Sequence, residues 1–578
     1  MSSPTDHKDR RVRSLLDTTH YDILYSLPDD HPLAVALRTY VLALSLALGP
    51  ALLPFVTSPK ARINGLARLK NVLKREFAFA GFAFAMTVGV GCGAAIRHVW
   101  NTACEPSDVN IRCEDTNLAL CLAKVRRWLS SVKYVHRTFI SNFISSALAI
   151  TLLHSRRPNY RPTVERAEIP LLPHISESSA LHKSLSLGPR PPPTLDLTLL
   201  ILVRALDFIV QATLGRIARF DELDPKRTPE QKEKRRRLLH SRLDALVFWM
   251  SSARIMWCFF YQPERLPRSY NKWIMTLANI DPRILATLRA LRSGDWSYRL
   301  HYSTQPDLVS SLSRDLGYPS IWGDYALLPA YGGPQADEAW KLMGVTTRKG
   351  LGGIPCELVH GSVTGGSCTA NAVIRGVQAF AEALALYTPV HFLPIILTRP
   401  QTLLHLPKFA STVLSLLRSA SFLSAFVSSI WLSVCLTRTL VLARLFPAVS
   451  HDFWDGPLGC TFVGSLVCGA SIWIEQGRRR GEIALYVLPR AIRACLPEKW
   501  LKGGSTTFRY AEWLAFVLSL STLLSAAIHQ PDSLRGLSRW ILTFVMKWPK
   551  TGLRKRELQE NSRPDAPVEP PPMHRATP

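Results

Sequence analysis

The chain has 578 residues, 47% apolar and 20% charged, and its 70 Lys and Arg against 43 Asp and Glu leave a formal net charge of +27. Mean hydropathy is +0.07, yet the apolar residues are gathered into stretches of membrane length with the charge between them. This excludes a wholly disordered chain, a collagen-like one and a small disulfide scaffold, and it argues against a soluble enzyme.

Residues 1–32 are polar and lack the apolar run of roughly 7–15 residues that a secretory signal needs. The terminus Arg575–Pro578 is neither a peroxisomal Ser-Lys-Leu address nor a retention signal. Insertion is therefore expected to rest on the spans themselves, each needing about 20 mainly apolar residues. Thr39–Pro59 and Phe77–Ile96 carry no charge, and Ser419–Thr437, Gly456–Ile474 and Val377–Leu397, with Glu382 inside it, also have the length. Weaker candidates are Thr138–Leu153, Leu197–Leu214 (with Arg204 and Asp207), Ala245–Tyr261 (with Arg254) and Trp513–Ile528. The expectation is an all-α, polytopic integral membrane protein with about eight or nine spans. Small residues at helical spacing, Gly89 with Gly93, Gly464 with Cys468 and Ser465 with Gly469, mark close helix contacts. Such contacts are equally compatible with a homo-oligomer.

The expected division is a polar N-terminal segment (1–32), a first membrane half (33–175), a Ser/Pro linker (176–196), further membrane helices with a basic loop (197–261), a polar insert (262–353), a second membrane half (354–500), C-terminal apolar helices (501–549) and a disordered tail (550–578). The insert's Trp, Tyr, Gly and Pro usage predicts short helices and turns packed on the membrane domain. Basic runs at Lys60–Arg75, Lys124–Arg137, Lys226–Arg242 and Arg478–Arg480 flank the spans, where they meet anionic lipid head groups. No nucleic-acid motif accompanies them, so membrane lipids and not nucleic acid are the expected partners. Basic loops on both sides of Phe77–Ile96 obscure the orientation, unless a segment such as Thr116–Trp128 is re-entrant or interfacial.

The two halves also resemble each other. Asp30–Val99 and Ser367–Leu440 both run span, Pro-containing exit, basic amphipathic loop and small-residue span, with Arg38 on Arg375, Pro54 on Pro394, Pro59 on Pro400 and Arg75 on Arg418. An inverted duplication would place a transport site near the midplane between the halves.

From Cys356 the sequence reads CELVHGSVTGGSC, then YTPVHFLPIILTRP, RSASFLSAFVSSIWLSVCLTR and IWIEQGRRRGEIALYVLPRAIRA. These segments resemble the transmembrane protein 135 family over roughly Ile354–Leu496, the last being similar to the family's C-terminal signature. The resemblance implies a multi-span protein of peroxisomal or mitochondrial membranes tied to lipid and organelle homeostasis. It implies no catalytic or binding residues and no cofactor.

Several residues carry chemical potential of their own. Cys356, His360 and Cys368 have metal-compatible spacing, but a structural zinc site takes four ligands and the sequence shows no fourth nearby. The plainer reading is a polar cap on the next span. Ionisable groups inside spans invite functional suspicion. Glu382 lies seven residues after Arg375 on one helix face, and Arg204 and Asp207 are spaced to pair within a helix. The loop Ser450–Gly456 holds His451, Asp452 and Asp455, residues suited to acid–base work. No P-loop, HExxH or GxSxG accompanies it. The leading reading is a non-enzymatic organelle membrane protein supporting lipid or metabolite homeostasis or organelle dynamics. The alternatives are a transporter or channel, and a lipid-modifying membrane enzyme.

Overall fold

The computed structural model describes residues 31–57, 70–79, 81–104, 130–155, 194–221, 228–398, 401, 404–501 and 506–546. The 116–128 segment, the Ser/Pro linker before Thr194 and the C-terminal tail lie outside these residues, as do Cys113 and Cys121. The described structure is helical apart from a two-residue pairing of Trp296–Ser297 with Tyr302–Ser303. The chain divides into two compact units, one of Met1–Arg161, Phe208–Ala212 and Phe516–Pro578, the other of Pro162–Asp207 and Thr213–Ala515.

Seven described helices are long and apolar enough to span a membrane, because backbone groups in hydrocarbon must be satisfied within the helix itself. They are Pro32–Gly49, Phe82–Cys104, Tyr134–Ser155, Leu195–Gly215, Lys234–Tyr261, Leu406–Leu445 and Thr506–His529. The polytopic all-α fold is thus as expected, with two differences among the strong candidates. Gly456–Ile474 is not a full span. Its helical part, Cys460–Ile474, ends in a 3₁₀ turn and reaches only about 25 Å, against a hydrocarbon core of about 30 Å. Val377–Leu397 lies within the helix Cys368–Thr398, which is long but not among the seven. The basic run at Lys226–Arg242 is no loop either. From Pro229 it forms the first turns of the helix Pro229–Tyr261.

In the first unit, α1 (Pro32–Thr57), α2 (Phe82–Cys104, with a π-helical turn at Val88–Cys92) and α3 (Tyr134–Ser155) pack together. The α3 helix is inverted relative to a water-soluble one. Thr138, Ser141, Asn142, Ser145 and Ser146 are buried, while Ile140, Ile144 and Leu148 lie exposed at helical spacing. That arrangement suits an apolar solvent outside and a polar bundle interior. The Ser145 hydroxyl donates to the Gly89 carbonyl at 2.8 Å and Arg97 donates to Asn142 at 3.0 Å. Such contacts need small residues opposite. A Cβ on Gly89 would stand 2.9 Å from the Cβ of Ala149, and one on Gly93 would stand 2.7 Å from the Asn142 amide oxygen.

In the second unit, α4 (Pro229–Tyr261) packs along α5 (Gly477–Cys495), and α6 (Cys368–Thr398) along α7 (Leu406–Cys435, continued by a π turn to Leu440). The polar insert forms short helices such as Arg268–Ala278, Pro282–Ser293, Asp307–Asp315 and Pro334–Met343. It has its own core of Trp296, Tyr298, Val309, Leu312, Leu328 and Trp340, closed by Ile354 and Leu358. The predicted short helices and turns are therefore present.

Gly to Ala inside a helix ordinarily stabilises by about 0.5–1 kcal/mol. At Gly89 the Ala149 contact reverses the sign, because neither methyl can rotate away. We expect Gly89→Ala to cost about 1–3 kcal/mol as overpacking, read as a lowered thermal midpoint in detergent. A raised midpoint would show that α2 and α3 do not approach this closely.

Candidate functional site

Two buried polar clusters and one apolar cavity stand out in the second unit. The first cluster is built on Asp455, which is 3% exposed. The loop after α7 folds into a short helix, His451–Trp454, capped by the Ser450 hydroxyl. This turn directs Asp455 at Arg438 in the π turn of α7. Arg438 Nε donates to Asp455 Oδ1 at 2.5 Å, and its terminal nitrogen donates to Oδ2 at 3.2 Å and to the Ile354 carbonyl at 2.6 Å. From the insert, the Tyr298 hydroxyl donates to Asp455 Oδ2 at 2.9 Å, and the Tyr261 hydroxyl reaches the Gly456 carbonyl at 2.8 Å. Burial alone would raise the Asp455 carboxyl, but Arg438 and then His451 hold it well below the usual range. Burial, then the neighbouring Asp455, pushes the Tyr298 hydroxyl well up.

His451 is 1% exposed, and its Nδ1 stands 3.7 Å from Asp455 Oδ2. Burial lowers its pKa to about 4. Asp452 faces the insert instead, accepting from the Tyr298 amide at 2.8 Å and the Ser297 hydroxyl at 3.1 Å. Of the three loop residues selected for acid–base chemistry, His451 and Asp455 are thus brought together and Asp452 is turned to the insert. Both carboxylates, however, already receive bonds that tie the loop to the insert.

The second cluster joins Cys356, His360 and Cys368, whose ligand atoms all lie within 4.8 Å of one another. Cys356 and His360 lie on the short helix Cys356–His360, and Cys368 starts α6. The bond from Cys368, with burial, pushes the Cys356 thiol up to about 12, against the nearby Arg348 and Arg438. Sequence spacing missed a third sulfur: Cys435, at the end of α7, is buried with Cys356 and Cys368. No local motif signals it, because it comes from another helix. All the described cysteines are free thiols.

The expected intrahelical pairs do not form. Arg375 bonds Asn371 Oδ1 at 2.8 Å and the carbonyls of Ala278, Asn279 and His360 at 2.8, 2.7 and 2.9 Å, and lies 3.9 Å over the Trp431 ring. Glu382 is exposed and lies two turns further along the same helix, about 10.5 Å away along the axis and out of reach of Arg375. Arg204 reaches past its own helix to Glu482 on α5 at 3.2 Å rather than to Asp207, which is half-buried. A tertiary carboxylate replaces the local one for Arg204, while Arg375 is held by Asn371 one turn back and by carbonyls from other segments.

The cavity, of about 1050 Å³, lies among α4, α5, α6, α7 and the insert helix Arg268–Ala278. Phe248, Met256, Ile274, Phe422, Phe426 and Val487 line it, with Asp196, Glu482 and Arg490 among its few charged groups. Asp196 is neutralised by Arg493 at 2.5 Å and Glu482 by Arg204. Arg490 forms no ion pair among the described residues, and it stacks 4.0 Å over the Tyr486 ring and 5.1 Å over Tyr270.

The sequence model of the N-terminal cysteine-rich region of Transmembrane protein 135 matches residues 356–495. This segment belongs to the transmembrane protein 135 family. The match begins at Cys356 and so takes in both polar clusters and α5, while Arg348 and Tyr298 lie ahead of it. The family region is described as N-terminal, whereas here it occupies the second half of the chain. The Arg478–Arg480 segment is therefore part of that N-terminal region rather than a C-terminal signature. No solved structure matches the chain.

Removing one partner of a buried ion pair strands the other charge, at a cost of about 3–5 kcal/mol. Arg438→Met and Asp455→Leu should each lower stability by that amount, and the double variant by clearly less than the sum. Strict additivity in a thermal double-mutant cycle would deny the pair. For His451 the folded pKa lies below the ordinary 6.5, so its contribution is full above pH 6.5 and is lost as pH falls toward about 4. The thermal midpoint should drop across that window, and His451→Phe should flatten the drop. An unchanged slope in the variant would assign it to other groups.

Proposed function

We propose that the protein is a non-catalytic membrane protein that holds an anionic lipid in the α4–α7 cavity and supports lipid homeostasis in a peroxisomal or mitochondrial membrane. The cavity carries this reading. Its volume of about 1050 Å³ is just above the range of about 300–1,000 Å³ usual for ligand sites. An acyl chain leaving the bilayer gains little from an apolar wall, since lipid tails are already apolar. Selectivity then falls to the polar groups on the wall. Two of its three named charges are neutralised within the protein, and Arg490 is left for an anionic head group. The family resemblance supports the organelle assignment. Membrane lipids are then the partners, the basic segments adding contact with anionic head groups.

The experiment is photocrosslinking of full-length protein in vesicles containing a photoactivatable anionic phospholipid. Val427→Trp, which fills the wall, and Arg490→Gln, which removes the unpaired charge, should each reduce labelling about tenfold, equivalent to about 1.4 kcal/mol. Labelling of a zwitterionic analogue should fall for Val427→Trp alone. Undiminished labelling in both variants would overturn the proposal.

A further inference from the structure

We propose that Cys356, His360, Cys368 and Cys435 form a Cys₃His site for a tetrahedral metal ion of the zinc class, which clamps the Cys356–His360 helix and the start of α6 to the end of α7. With zinc–sulfur bonds of about 2.3 Å and zinc–nitrogen bonds of about 2.0–2.1 Å, a tetrahedron has sulfur–sulfur edges of about 3.8 Å and sulfur–nitrogen edges of about 3.6 Å. Cys356 Sγ and Cys368 Sγ stand 4.0 Å apart, and these two with His360 have their donor atoms within 4.8 Å of one another. Cys435 joins the three through His360, its Sγ 3.6 Å from Nε2, and would close on the two sulfurs as the ion binds. The four donors come from three separate pieces of chain, so one ion would close a cross-link that no two of them make.

The surroundings are those of a ligand set. His360 Nδ1 is 2.7 Å from the Gly365 carbonyl. Donation there places the proton on Nδ1 and leaves the Nε2 lone pair facing the sulfurs, which is the outer-shell device that orients metal-binding imidazoles. The Thr439 hydroxyl lies 3.3 Å from Cys356 Sγ, and Arg348 donates to the same sulfur at 3.4 Å. Arg348 is fully buried and forms no carboxylate ion pair among the described residues. Its other bonded partner is the Gly352 carbonyl. A buried guanidinium needs an anion nearby. Three thiolates around a divalent ion carry one net negative charge, which Arg348 offsets. Binding releases the three thiol protons to solvent, and no electron is transferred. A tetrahedral sulfur and imidazole set selects zinc over the hard cations.

The test uses the full-length chain, purified in detergent without chelator through a tag that carries no histidine. Elemental analysis should find one zinc per chain. Cobalt(II) loaded in its place should give tetrahedral d–d bands and thiolate-to-cobalt charge transfer. Cys356→Ser, Cys368→Ser, Cys435→Ser and His360→Ala should each weaken cobalt binding at least about tenfold. Cys92→Ser, in the first unit, should leave it unchanged. Since a ligand variant can misfold, the wild-type spectrum is decisive by itself: cobalt bound without thiolate charge transfer would overturn the site. So would metal-free wild-type protein that binds no added zinc, an intact mass two hydrogens light with a Cys356–Cys368 disulfide, or full cobalt affinity in a monodisperse Cys435→Ser variant.

Discussion

A charge placed inside this protein has to be met on the spot, and the Arg438–Asp455 pair is where that requirement organises most of the second unit. Both side chains are nearly inaccessible to solvent, and the desolvation penalty of such a pair is repaid only if its remaining donors and acceptors are also bonded. Here they are bonded by separate segments. The Ile354 carbonyl takes one arginine proton and the Tyr298 hydroxyl completes the carboxylate, while Tyr261 at the end of α4 bonds the neighbouring Gly456 carbonyl. The polar insert therefore cannot move away from the membrane helices without stranding a charge.

The π turn at Leu436–Leu440 belongs to the same constraint. An extra residue in a helical turn redirects the side chains that follow it and frees local backbone groups. Arg438, in that turn, meets Asp455, while Thr439 reaches Cys356. The two polar clusters are thus served by adjacent residues of one helix.

What the sequence makes legible follows the distance over which the forces act. Long uncharged runs such as Phe77–Ile96 read directly as helices, because hydrocarbon leaves the backbone no other option, although here the helix starts only at Phe82 and runs on to Cys104. Small-residue pairs such as Gly89 with Gly93 read as close contacts, and both do meet α3. Gly456–Ile474 misleads, because its composition is that of a span while a 3₁₀ end and the buried Glu475 stop it short. Side-chain pairing is the least legible. Arg375 and Glu382 share a helix face but stand two turns, about 10.5 Å, apart, and for Arg204 with Asp207, which do have pairing distance, local pairing is worth only about 0.2–0.5 kcal/mol. Carbonyls, an indole face and a distant carboxylate outcompete it. Cys435 stayed hidden for the same reason: only the packing of α6 on α7 brings it beside His360.

Arg375 links the cysteine cluster to the cavity through direct contact. Its guanidinium bonds the carbonyl of His360, and also the carbonyls of Ala278 and Asn279 at the end of an insert helix. It lies flat over Trp431, and both Trp431 and Ala278 line the cavity. With no carboxylate in ion-pair range among the described residues, this charge depends on the Asn371 amide of its own helix, three main-chain carbonyls and the indole face. The three main-chain carbonyls keep their places only while the His360 turn and the insert helix keep theirs. Disordering the cysteine and histidine turn would withdraw one of the three carbonyls and leave Arg375 under-solvated against Trp431. The conformation of the cavity wall is therefore tied by adjacent bonds to the order of that turn, with no long relay between them.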